Sequence, residues 1–391
     1  MSGPKTPDHA FGTGAPFSLG AEEELFLVDA VSGRMVNSSG AVVDRLGSAM
    51  GGIERELHAG MIEFVSDVCS CTRDAIGQLA RRRAAVLGTG VGLLGAGTHP
   101  TATEDQAEIS DKERYERIHH LLGDAIATPV AGLHVHVGMP DPETAIKVFN
   151  AIRVRLPLMQ ALAANSPFRH GRDTGLASAR DVTIRSWPRS GVPRAMRDFD
   201  DFQRTAGLLT RAAGVEDYTW FWWKLRPHPK LGTVEIRALD AQSSLRDAGA
   251  LVAFAHCLAR AAAEDDPPKE LASELLEEGM FRAARYGIHA ELPDADGQLH
   301  PFDDVLAEAL DHVQPYAREL DCEDELAFIP TLVAAGAGAG RQREVHELSG
   351  IDALLRELTA ATAQLSGINQ NRAGNRGSGA TKQQPWHSSA A

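Results

Sequence analysis

Residues Phe17–Val28 read FSLGAEEELFLV, and the fold turns on where the three consecutive glutamates point. Side chains alternate across a strand, so Glu22 and Glu24 share one face while Glu23 joins Leu25 and Leu27 on the other. Strand interiors disfavour Glu, and two like charges roughly 7 Å apart on a partly buried sheet repel unless a cation lies between them. A solvated strand face beside a tail is the competing explanation.

Three further strand-like runs repeat the pattern. In IERELHAGMIEFVSDV, starting at Ile53, Glu54, Glu56 and His58 alternate, and Glu63 lies among Met61, Ile62, Phe64 and Val65. An unpaired buried carboxylate costs several kcal/mol, so Glu63 should meet a metal, meet an Arg or Lys, or face solvent from an edge strand. Leu133–Gly138 (LHVHVG) places His134 and His136 on one face and Leu133, Val135 and Val137 on the other. His-x-His alone is a weak pattern, shared by zinc hydrolases, phosphate sites and plain cores. Thr233–Leu239 (TVEIRAL) sets Glu235 beside Arg237, either as an intra-strand salt bridge or as a metal ligand next to an Arg aimed at a phosphoryl group. The run before it, expected as a strand over Tyr218–Pro227, adds Lys224 and Arg226 and is joined to it by a hairpin connection, His228–Gly232. A ligand set of carboxylates with one or two histidines favours Mg²⁺ or Mn²⁺ over a structural zinc. No Walker-type or Gly-x-Gly-x-x-Gly phosphate loop is present, so a nucleotide would depend on metals and on cations carried by the sheet.

Helical periodicity fills the intervals, at Asp74–Leu87, Ser110–Leu122, Pro142–Ala164, Asp198–Ala213, Ser244–Ala263, Lys269–Tyr286, Phe302–Leu320 and Arg343–Leu365. The expected class is α+β, with one catalytic domain over residues 16–366 between disordered tails at 1–15 and 367–391. A content of 43% hydrophobic and 24% charged residues fits a globular chain, and the formal charge of −14 disfavours nucleic acid or an anionic membrane as partner. Without an evident apolar span or signal peptide, a cytoplasmic location is expected. Four cysteines are too few for a disulfide framework and read as reduced thiols.

LGAEEELFLVD, AGTHP, AGLHVHVGMPD, ANSPFRHGRDTG and WWKLRPHPKLGTVEIRALD, in this order, resemble the bacterial carboxylate–amine ligases, also called glutamate–cysteine ligase type 2. The resemblance covers roughly Phe17 to Arg260. It implies a glutamine synthetase-like fold, a curved, mainly antiparallel sheet with helices on its outer face and an ATP-and-metal site on its concave face. It further implies a cytoplasmic, ATP-dependent, amide-forming enzyme acting on small amino acid and amine substrates, with a homodimer suggested. Carried over by position, Glu22, Glu24, Glu56, Glu63, His134 and Glu235 become the metal set. Arg237 faces the γ-phosphate and acts in catalysis with Glu235. His136, Lys224 and Arg226 join Arg237 as nucleotide contacts. Within Arg169–Gly191, a candidate covering loop, Arg180, Arg185 and Arg189 are expected to hold a substrate carboxylate. The chain departs from the family pattern at Leu176 and Ala179, where aromatics are common, and at Lys224, where Asp is common. Both departures are expected on the substrate side, which leaves the acceptor amine open between cysteine and another amine. A divalent-metal hydrolase built on His-x-His, or a catalytically silent nucleotide-binding homologue, are the alternatives.

Overall fold

The computed structural model describes residues 9–47 and 50–365. Its strands are β1 (Leu19–Val28), β2 (Ile53–Arg55), β3 (Met61–Val65), β4 (Gly92–Leu94), β5 (Gly132–Gly138), β6 (Phe168–Arg169), β7 (Arg172–Asp173), β8 (Leu225–His228), β9 (Thr233–Asp240), β10 (Glu291–Pro293) and β11 (Leu299–Pro301). The helices are α1 (Ser39–Leu46), α2 (Thr72–Leu87), α3 (Glu113–Leu122), α4 (Pro142–Ala163), α5 (Ala179–Ile184), α6 (Phe199–Ala213), α7 (Leu245–Glu264), α8 (Ser273–Tyr286), α9 (Phe302–Glu319), α10 (Glu323–Leu326), α11 (Ile329–Ala334), α12 (Ala337–Ser349) and α13 (Ile351–Ala363). No helix among the described residues is long and apolar enough to cross a membrane.

One sheet organises the chain, in the order β2-β3-β1-β5-β9-β8 with β4 also on β1, and every pairing in it is antiparallel. Its back face is apolar. Ala21, Leu25, Val135, Val137, Val234 and Ile236 are fully buried there, in the core that α2, α4 and α7 complete. Local signals set these helices. Asp141 accepts the Thr144 N–H at 2.8 Å with Pro142 at the first turn of α4, and Ser244 caps α7.

Glu23 is the one back-face carboxylate of β1, and it is fully paired. Arg83 of α2 donates to both its oxygens, at 2.7 and 2.6 Å, and also to the carbonyls of Ser243, Gln242 and Thr362. A single buried guanidinium thus ties β1, the entry to α7 and the end of α13 to one point.

Four segments differ from the sequence expectation. Tyr218–Trp220 forms a 3₁₀ turn rather than a strand, because the Asp217 carboxylate takes the Thr219 N–H at 2.8 Å, and strand geometry begins only at Leu225. The helix expected over Arg343–Leu365 is two helices, broken where Gly350 adopts φ +79°. The expected strand ends at Arg55, although His58 still bridges to Ile109. Within the expected amino-terminal tail, residues 9–11 pack against the body while residues 12–15 are exposed. The Ala10 N–H donates to the Pro229 carbonyl, and Phe11 is buried edge-on to Phe199. Residues 1–8 and the expected carboxy-terminal tail lie outside the described residues.

Arg83→Met strands the Glu23 carboxylate in the core, and a loss of about 3–5 kcal/mol in unfolding free energy is expected by urea titration. Combining it with Glu23→Leu should recover most of that loss. A double variant no more stable than Arg83→Met would show that charge pairing is not what the staple supplies.

Candidate active site

The register of the sheet assembles the front face. Glu54, Glu63 and Glu24 lie directly opposite one another across β2, β3 and β1. Next come Glu22 opposite His134, His136 opposite Glu235, and Glu235 opposite Arg226. Like charges facing across strands are destabilising, and here Glu63 and Glu24 are buried as well. Glu63 is 3% exposed on an interior strand, which removes the solvent-facing option. Among the described residues no Lys or Arg forms an ion pair with it, and its Oε1 has no hydrogen-bond partner.

The charge state of each group follows from this setting. Burial, and then Glu22, Glu56 and Glu24, push the Glu63 carboxyl well above the usual carboxylate range. Burial and the neighbouring Glu24 raise Glu56 to about 8. Burial would raise Glu22 too, but His136 and His134 outweigh it and hold Glu22 well below that range. Glu22 spans the two imidazoles, with Oε2 at 3.3 Å from His134 Nδ1 and Oε1 at 3.2 Å from His136 Nε2. Burial and Arg237 lower His134, whereas for His136 the carboxylates of Glu22 and Glu235 overcome burial and raise it. Glu235, despite its burial, is held strongly ionised by Arg226 and Arg237, both of which donate to it.

Two groupings have ligand atoms within 4.8 Å of one another: Glu22, Glu63 and His134; and Glu22, His136 and Glu235. Glu22 and Glu63, which no Lys or Arg pairs among the described residues, together with two imidazoles and the Arg-paired Glu235, suit a hard divalent ion. His136, expected as a nucleotide contact, stands on the same footing as His134. Glu24 and Glu56 belong to neither grouping. Glu24 Oε2 accepts the Gly132 N–H at 2.6 Å, Glu56 Oε2 accepts the Leu57 N–H at 2.6 Å, and both carboxylates line the adjoining pocket.

That pocket lies between the sheet and a small apolar roof built from Leu57, Tyr115, Ile118, Val130, Trp187 and Trp222. Arg180, Lys224 and Arg237 line it, whereas Arg226, bonded to Glu235 and to the carbonyls of Thr219 and Phe221, does not. Arg185 is engaged by Asp181 at 3.2 Å and Glu277 at 2.9 Å, and Arg189 donates to the Trp220 carbonyl and sits over the Trp222 ring. Of the three arginines expected to hold substrate, only Arg180 is therefore at the pocket. The expected covering segment is folded against the body, contributing Ile184 and Trp187 to the wall. Leu176 and Ala179 do not line the pocket, which corrects their expected position. Ala179 is buried at the start of α5 with its N–H on the Ser166 carbonyl.

Strand parity alone misses Asp240. It accepts from Ser166 Oγ at 2.6 Å, Ser178 Oγ at 2.9 Å and the Asn165 N–H at 2.9 Å, and lies 3.9 Å from Arg180. Pairing of β5 with β9 slips between Leu133 and Val135, and this irregularity carries Asp240 opposite Gly132 on the site face. Asp181, in contact with Lys224, was likewise unmarked.

Residues 18–365 match the family described as glutamate-cysteine ligase family 2. A Rubrobacter xylanophilus protein named "Putative glutamate--cysteine ligase 2-1" is 36% identical over 343 residues, covering 85% of this chain and 91% of that one. Another from the same organism, designated 2-3, is 38% identical over 362 residues, covering 90% and 99%. Among solved structures, the glutamate–cysteine ligase of Francisella tularensis in complex with AMP is similar at a TM-score of 0.65 and 13% identity, covering 89% of each chain. A bifunctional glutathione synthetase from Pasteurella multocida matches at 0.64 and 15%, covering 89% of this chain and 52% of that one. At such identities the likeness to these structures is one of fold, whereas the family match spans nearly the whole described chain. The chain belongs to glutamate–cysteine ligase family 2.

Proposed function

We propose that this ligase joins a carboxylic acid, glutamate in the reading its family favours, to an amine through an acyl phosphate, with ATP consumed to ADP and phosphate. The supporting observation is the buried carboxylate–imidazole array of Glu63, Glu22, His134, His136 and Glu235, set beside a pocket that Arg237 lines. Glu22, Glu63 and His134, together with His136 and Glu235, would hold Mg²⁺ or Mn²⁺, which when bound supplies positive charge for nucleotide phosphates. In the first step a γ-carboxylate oxygen bonds to the γ-phosphorus as the bond to the β-phosphate oxygen breaks. Arg237 supplies fixed positive charge where negative charge spreads over the transferred group. Arg226 keeps Glu235 ionised and in place from the other side. In the second step the amine nitrogen bonds to the acyl carbon, phosphate leaves, and the nitrogen gives up a proton. The apolar roof, with Trp187 and Trp222, limits the access of water to the acyl phosphate. A hydrolase built on the two histidines would run without nucleotide, so amine-dependent ADP release separates the two chemistries.

Glu24→Gln and Glu235→Gln are each expected to lower amine-dependent ADP release by about 10²-fold or more, with far-UV circular dichroism unchanged. Near-parental turnover in both would remove these carboxylates from the site.

A second expectation concerns pH. Because Glu56 titrates near 8 when folded, the folded protein keeps a proton that the unfolded chain loses above its ordinary range. Metal-free stability therefore falls as pH rises from the ordinary carboxylate range through about 8. Within the array Glu63 is likewise raised, and a cation bound there displaces its proton, so the rise in Tm on adding Mn²⁺ to chelator-treated protein should be larger at pH 8 than at pH 6. Glu63→Gln should remove most of that rise. Equal gains at both pH values, or an undiminished gain in the variant, would contradict a metal at these residues.

A further inference from the structure

Charge is distributed unevenly over the front face. Glu54, Glu63, Glu22 and Glu24 stand on β2, β3 and β1, His134 and His136 on β5, and the cations Arg237, Arg226 and Lys224 on β9, β8 and the approach to β8, beside Glu235. Lys224 lies at the cationic end, one strand beyond Arg237, whose N–H it accepts at 2.9 Å. It is buried and lines the pocket. Its carboxylate partner, Asp181, also accepts from Arg185, which Glu277 engages as well at 2.9 Å. Beside it, Arg180 gives one N–H to the Arg237 carbonyl, while its Nε has no hydrogen-bond partner among the described residues. Trp187 and Trp222, edge to face at 5.4 Å, also line the pocket, and each has a buried indole N–H without a partner.

Three residues on one wall thus leave buried donors unused. A buried donor without an acceptor costs about 1–3 kcal/mol, so three on one wall point to an absent acceptor. A carboxylate offers only lone pairs, about four of them, and a negative charge to match Lys224. An uncharged amine offers one lone pair and no negative charge. Glu24 and Glu56 also line the pocket, so a zwitterion would lie with its cationic end toward them and its anionic end toward Lys224.

We propose that Lys224, with Arg180, Trp187 and Trp222, takes the carboxylate of the incoming amine, so that the acceptor is an amino acid and Lys224 determines that choice. This assigns Lys224 to the acceptor rather than to the nucleotide, and it rests on the ligase reading above.

The test uses the full chain with ATP, Mg²⁺ and glutamate, and acceptors in matched pairs: L-cysteine with cysteamine, and L-alanine with ethylamine. The amino acid of each pair is expected to be favoured by about tenfold or more in kcat/KM. Lys224→Met should bring that ratio toward one, with KM for ATP and for glutamate changed less than about twofold, while Lys224→Arg keeps the preference. Lys224→Met with Asp181→Asn leaves no stranded charge and should behave like Lys224→Met. Equal use of the decarboxylated amines by the parent protein, or a rise in KM for ATP or glutamate instead, would overturn the assignment. Binding gives a readout independent of turnover. In ¹⁵N spectra, L-cysteine but not cysteamine should shift the indole N–H signals of Trp187 and Trp222. Such shifts without ADP release from any amine would retain the subsite and discard the ligase reading. No shift with any amino acid would discard the subsite.

Discussion

Glu63 faces Glu54 on one side and Glu24 on the other, and across the next strand pair Glu22 faces His134. No arrangement of this sheet relieves that crowding. Antiparallel register fixes which side chains oppose, and the apolar residues between the glutamates fix which face is buried, so a slip of one residue would put leucines at the site and carboxylates in the core. Burial raises the energy of each charge and the neighbours raise it further. The protein's own remedies are protonation, as at Glu63 and Glu56, and two imidazoles around Glu22. A site so arranged has capacity for positive charge that its own residues leave unfilled.

The back of the same strand treats an identical residue in the opposite way. Glu23 meets Arg83, with both carboxylate oxygens engaged and the remaining guanidinium donors placed on backbone carbonyls. Glu22, Glu23 and Glu24 are consecutive and all buried, yet one is a structural tie and two face the candidate site. The difference lies in which helix or pocket faces each side chain. At the other end of the sheet Glu235 combines the two roles, held between Arg226 and Arg237 while reaching the Glu22–His136 pair.

Much of this was legible in the sequence because strand parity is a strict rule. Glu22 with Glu24, His134 with His136, and Glu235 with Arg237 each appear on the face that alternation assigns, and Glu63 stood out as a carboxylate in an apolar run. Parity fails where a strand is irregular, and the slip between β5 and β9 is what hid Asp240. It also fails where a side chain imposes local geometry, as Asp217 does in turning Tyr218–Trp220 out of the strand. The arginines of residues 169–191 carry no periodic signal. Arg185 pairs with Asp181 one helical turn back and with the distant Glu277, and Arg189 reaches the Trp220 carbonyl 31 residues on, partners that strand alternation does not mark.

The division between strands and loops also separates the two halves of the chemistry. The array that would hold metal stands on paired strands, where register leaves little freedom. The donor wall stands on α5, on Trp187 and on the segment entering β8, supported from beneath by Asp240, which gathers Ser166, Ser178 and Arg180. Gly132 belongs to that support. A Cβ there would lie 2.4 Å from an Arg180 nitrogen and 2.9 Å from His134 Nε2, so the absence of a side chain is what lets the guanidinium approach the imidazole. Loop residues on a rigid scaffold can change without disturbing the fold. A buried ammonium, however, can enter such a wall only with a carboxylate beside it. Lys224 and Asp181 therefore form a unit, in which removing one partner leaves the other's charge buried.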